Sequence, residues 1–65
     1  MKKKELRKLA SQIAEAELIL QKTTDPKEIR TIKMNIMKLS SRITSLEDIM
    51  ILDELIQDKI KEKSS

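Results

Sequence analysis

The chain has no glycine and a single proline, Pro26, so the strongest turn and helix-stop signals are confined to one place. There, in Thr23-Thr24-Asp25-Pro26-Lys27-Glu28, Asp25 has the side chain of an N-cap. Pro26 suits the first helical position, whose N–H has no intrahelical partner in any case. Glu28 follows Asp25 by three residues, the spacing at which it reaches back to the N-cap amide. A helix therefore starts at about residue 26, and the helix before it ends near Lys22 or Thr23.

On both sides of this turn the apolar residues recur at three- and four-residue spacing. Leu6, Leu9, Ile13, Ala16 and Leu20 form one series, and Ile29, Ile32, Ile36, Leu39, Ile43, Leu46 and Met50 form the other. That is the a/d pattern of a helix packed lengthwise along a neighbour. A connection of about three residues makes two such helices antiparallel neighbours, so the chain reads as a helical hairpin. The first helix covers 3–22. The second has no strong breaker before Lys63 and reads as 26–62, continuous or kinked near 44–46.

One weaker boundary lies in Ser40-Ser41-Arg42-Ile43-Thr44-Ser45-Leu46-Glu47-Asp48. Serine and threonine compete with the helical backbone for hydrogen bonds, and Thr44…Glu47 and Ser45…Asp48 both have capping-box spacing. Against a break, the apolar series runs through Ile43 and Leu46 without losing register, and the continuous or kinked helix is the preferred reading. The alternative is a monomeric three-helix bundle of segments 4–22, 26–44 and 46–62.

A continuous second helix of about 37 residues would be near 55 Å long, against about 30 Å for the first. Its last turns would overhang the hairpin, carrying Ile49, Met50, Ile51, Leu52, Leu55, Ile56 and Ile60 around much of the circumference. A helix that is apolar on more than one side must be covered on more than one side, and another copy of the chain is the available cover. The first helix points the same way. Ala10, Ala14 and Leu18 form a second stripe of mostly small residues, suited to close approach by another helix. The one polar residue at a seam position is Asp53, which either marks the end of the seam or sets register at an oligomer interface.

Composition narrows the rest. With 65 residues there is room for one domain, 1–65, and chains this short usually need a staple or a partner. There is no cysteine and no histidine, so neither a disulfide nor a transition-metal site is expected. Phe, Tyr, Trp and Val are absent too, leaving Ile, Leu, Met and Ala to build the core. Oligomerisation, most simply as a dimer, is the staple that remains. Catalysis is not expected, because no His, Cys or Tyr is present to act as base, nucleophile or phenolic acid. Glycine-rich phosphate loops are excluded, and no cofactor is implied. Ile49-Met50-Ile51-Leu52 is the longest apolar run, far short of the ~20 residues of a membrane span. The residues after Lys4 do not form the apolar stretch of a signal peptide, so a cytoplasmic location is the expectation.

Charge is divided along the chain. Residues 1–42 carry 11 basic and 5 acidic side chains, a net +6, and residues 43–65 carry 3 and 6, a net −3. A basic hairpin raises the alternative of contact with a nucleic-acid backbone, through Lys2, Lys3, Lys4, Arg7, Lys8, Lys27 and Arg30. No aromatic side chain is available to stack on a base. In layout alone, a short basic hairpin able to dimerise resembles the plasmid copy-number proteins that bind RNA kissing loops as four-helix bundles. No stretch of residues carries that likeness, and it assigns no site. A basic amphipathic first helix lying on anionic lipid is disfavoured by Glu15 and Glu17 and by the lack of Trp or Phe anchors. The sequence thus reads as a non-enzymatic, self-associating helical protein–protein interaction module, a small adaptor, assembly factor or regulator. Nucleic-acid binding is the alternative.

Overall fold

A computed structural model describes residues 2–64, the last by its backbone only, and shows three helices and no strand among them. Helix α1 spans Lys3–Lys22, α2 spans Pro26–Ser40 and α3 spans Leu46–Ser64. The fold is all-α.

The turn between α1 and α2 forms as its residue types dictate. The Asp25 side chain accepts a hydrogen bond from the Lys27 amide at 3.0 Å, and the Asp25 carbonyl accepts the first intrahelical bond from Ile29 at 3.0 Å. Pro26 occupies the first turn, where its missing N–H costs nothing. Glu28 differs from the expected capping box: its carboxylate accepts from the Thr23 hydroxyl at 2.6 Å. It therefore ties the end of the loop to the first turn of α2, and the Thr23 amide closes α1 on the Ile19 carbonyl at 2.9 Å.

The continuous second helix, 26–62, does not form. The helix stops at Ser40 and a new one starts at Leu46, so the chain adopts the three-segment alternative, with its middle segment ending at Ser40 rather than 44. The local reason lies in the two serines. Ser40 Oγ donates to the Met37 carbonyl at 3.1 Å and Ser41 Oγ to the Lys38 carbonyl at 2.8 Å. The Met37 carbonyl also accepts the Ser41 amide at 2.9 Å, and the Ser41 hydroxyl serves the Lys38 carbonyl, one of those a helix end leaves without an intrahelical partner. Arg42 and Ile43 then tighten the chain with bonds to Leu39 and Ser40 at 3.4 and 3.2 Å. The Ser45 carbonyl receives the Ile49 amide at 3.0 Å, which opens α3.

The tertiary reason outweighs the seam register. Breaking the helix lets Ile43, Leu52 and Ile56 join the core, all buried. At about 1.5–3 kcal/mol for each fully buried side chain, the three contribute roughly 5–9 kcal/mol. The interrupted stretch gives up only a few backbone hydrogen bonds at about 0.5–1.5 kcal/mol each, partly replaced by the serine hydroxyls.

Helix α1 is the spine. Leu6, Leu9, Ala10, Ile13 and Ala14 supply five of the eight buried core residues, with Ile43, Leu52 and Ile56 completing the set. The small stripe on α1 does what small residues allow: Ala10 and Ala14 are fully buried where α3 of the same chain approaches closely. α1 packs against both α2 and α3, whereas α2 and α3 do not pack on one another among the described residues. The Cα extents of 34 × 27 × 15 Å agree, since helices spaced about 8–10 Å apart reach such a width only side by side. The molecule is a layer of three helices with α1 in the middle.

Direction follows from the loops and the contacts. The short α1–α2 loop makes that pair antiparallel, so Ser40 lies at the N-terminal end of α1. Arg42 accordingly borders Glu5, Lys8, Leu9 and Gln12. α3 sets out from that end, and near its far end Lys63 Nζ reaches Glu15 at 3.1 Å. It therefore runs in the same sense as α1.

Candidate interaction surface

The residues expected to lie uncovered in a single chain divide into two groups. Leu52 and Ile56 are buried in the core, and Ile51, Leu55 and Ile60 are half-buried against it. The expectation that α1 cannot reach them was a consequence of the continuous helix and falls with it. Ile49 and Met50 stay exposed. Leu46 joins them one turn earlier, so the uncovered part of α3 is its first turn and a half, Leu46, Ile49 and Met50.

Helix α2 presents the more unusual face. Of its seam residues, Ile36 and Leu39 pack against the core, yet Ile29, Ile32, Ile36 and Leu39 are each only half-buried, and the helix contributes no fully buried side chain. α2 is covered along one line by a single neighbour. Beside that line, Met34 and Met37 stand out with Pro26, Ile29, Arg30 and Lys33 around a shallow apolar depression. Taken together, Met34, Met37, Leu46, Ile49 and Met50 are between 45% and 74% exposed. The sequence pattern flagged Ile49 and Met50 but not Leu46, which the heptad series assigned to the seam. Only the break at 41–45 rotates it out.

The seven basic candidates are all exposed, but they do not form one site. Lys2, Lys3, Lys4, Arg7 and Lys8 lie at the N-terminal end of α1. Lys27 and Arg30 sit on the first turn of α2, at the opposite end of the layer, where Lys27 and Glu28 border Ile19. The structure instead brings Arg42 to Lys8, with Glu5 beside them. Antiparallel pairing of the first two helices was the signal that would have placed it there. On the other side of α1, Arg7 and Lys8 share a groove of about 420 Å³ with Asp58, Lys59 and Glu62 of α3. Carboxylates in that groove oppose the cations, which weakens it as a phosphate track.

Among the described residues no group of three or more Asp, Glu, His or Cys side chains is arranged to hold a metal ion. Among the same residues, no helix is long and apolar enough to cross a membrane. Compared with family models, with curated proteins and with solved structures, the chain matches none.

Proposed function

We propose that this protein is a non-enzymatic helical interaction module that self-associates through the apolar flanks of α2 and α3. The observation that carries the reading is the incomplete burial of α2. A 15-residue amphipathic helix with four large apolar seam residues, none of them fully buried, is a helix with half of its cover. The exposed methionines add to the argument, because flexible thioethers suit surfaces that repack on a partner. Five large side chains, each more than two-fifths exposed, leave roughly 4–8 kcal/mol of apolar burial unrealised in one chain. That is comparable with the whole stability expected of a domain this size.

Light scattering tests the reading directly, with concentration taken from refractive index because the chain has no Trp, Tyr or Cys. The expected result is a mass of two or more chains at micromolar concentration and a melting temperature that rises with concentration. A compact monomer whose melting temperature is independent of concentration up to the millimolar range refutes self-association.

A further inference from the structure

The two uncovered apolar surfaces carry opposite charge at their rims. On α2, Met34 and Met37 stand with Pro26 and Ile29 in a depression whose other lining residues are Arg30 and Lys33. The one acidic residue of α2, Glu28, is not part of that lining; it accepts from Thr23 and borders Ile19 together with Lys27 and Thr31. On α3, Leu46, Ile49 and Met50 are exposed at i, i+3 and i+4, the spacing with which a helix presents one apolar edge to a groove. The exposed charged side chains of α3 up to residue 54 are Glu47, Asp53 and Glu54, and no basic residue precedes Lys59.

These surfaces lie at different levels of the layer. Ile19 borders Lys27, Glu28, Thr31 and Ile32, and Arg42 borders Glu5, Lys8, Leu9 and Gln12, so Met34 and Met37 stand beside the middle of α1. Leu55, Asp58, Lys59 and Glu62 border Arg7, Lys8, Ala10 and Ser11. Leu46 and Met50, two to three turns earlier on α3, are therefore level with the N-terminus of α1 or past it. At 1.5 Å per residue the two surfaces are about 20 Å apart along α1. Since α2 and α3 do not pack on one another among the described residues, one chain does not join its own two surfaces.

We propose that the first turns of α3 in one copy of the chain seat in the α2 depression of a second copy, head to tail. This pairing rests on the self-association reading and adds which surface meets which. Charge at the rims selects it. α3 on α2 brings Glu47, Asp53 and Glu54 to a depression edged by Arg30 and Lys33. α2 on α2, or α3 on α3, brings like charges together, which opposes association. The methionines on both sides, Met34 and Met37 against Met50, adapt their shape to the contact. Because the complementary surfaces are different parts of the molecule, the contact is heterologous. Each copy keeps one surface of each kind to offer, and chains add until a ring closes.

The test compares the wild-type chain with three preparations: Met34→Gln with Met37→Gln, Leu46→Gln with Met50→Gln, and an equimolar mixture of these two double variants. All four side chains are more than half exposed, and glutamine is close to methionine and leucine in helix propensity. Circular dichroism should therefore show each variant as helical as the wild type, and alanine at the same positions repeats the test without new polar groups. Sedimentation equilibrium with interference optics gives the mass and the dissociation constant per contact. The wild type should pass two chains as concentration rises. Each variant alone lacks one of the two surfaces and should associate at least about tenfold more weakly. The mixture pairs the intact α3 of the first variant with the intact α2 of the second. It should bind within about threefold of the wild-type constant and stop at two chains. Impairment of fewer than both variants, no recovery on mixing, or a wild type that stops at two chains overturns the head-to-tail contact and leaves self-association standing. A wild type that is monomeric throughout overturns both.

Discussion

Leu52 and Met50 are two residues apart on α3, similar in size, and opposite in environment: Leu52 is 5% exposed and Met50 64%. Truncating each to alanine isolates what the helix break accomplishes. Leu52 packs in the cluster with Leu6, Ala10, Ile13 and Ile56, so Leu52→Ala removes buried methyl groups and leaves a cavity in a thin core. The cost for such sites is about 2–5 kcal/mol. A 65-residue domain has roughly 3–10 kcal/mol to lose, and for domains of this size each kcal/mol shifts the melting temperature by about 4–8 °C. Leu52→Ala should therefore lower the melting temperature by at least about 10 °C, or abolish the transition. Met50→Ala should stay within about 0.5 kcal/mol of the wild type, measured below the concentration at which copies associate. Thermal circular dichroism at one fixed low concentration reads both. Equal effects of the two substitutions would refute the three-helix packing, because a continuous second helix leaves both side chains on the same uncovered overhang.

Two further expectations follow from the same contacts. Asp25→Ala removes the acceptor for the Lys27 amide and should cost about 1 kcal/mol by thermal melting, whereas Pro26→Ala should cost far less; equal stability of wild type and Asp25→Ala would remove the capping assignment. Replacing Lys2, Lys3, Lys4, Arg7 and Lys8 together by glutamine should leave the association constant nearly unchanged, since exposed charges contribute little singly; tight RNA or DNA binding by the wild type at physiological salt, lost in this variant, would instead establish the nucleic-acid reading.

The salt dependence of the single chain's stability should be muted for a structural reason. The ion pairs of Lys63 with Glu15 at 3.1 Å and of Lys59 with Glu62 at 4.0 Å join side chains that are largely exposed. Water screens such pairs. The core holds only apolar side chains, and no buried side-chain polar atom lacks a hydrogen bond among the described residues. Burial of Ile and Leu against α1, and not charge, holds the three helices together.

Much of the local structure was written in short-range chemistry. The absence of glycine, one proline behind an aspartate, and apolar residues at three- and four-residue spacing were enough to place α1 at 3–22 and the start of α2 at 26. Those features act within a few residues of one another, which is why a linear reading captures them. The alanine stripe at Ala10 and Ala14 also announced that α1 has a neighbour on each side. What the linear reading missed was the origin of the second neighbour. The segment 40–45 is balanced: serine and threonine weaken the helix there, and the unbroken heptad register argues for its continuation. Propensity differences at that stretch amount to a few tenths of a kcal/mol per residue, too small to decide. The decision came from contacts distant in sequence, as Ile43, Leu52 and Ile56 gain a core only if the chain turns back onto α1. Exposure of Leu46 followed from that same turn, because the break rotates it off the line that faces α1. Periodicity names the apolar face of a helix; only the packed chain determines how much of that face is covered.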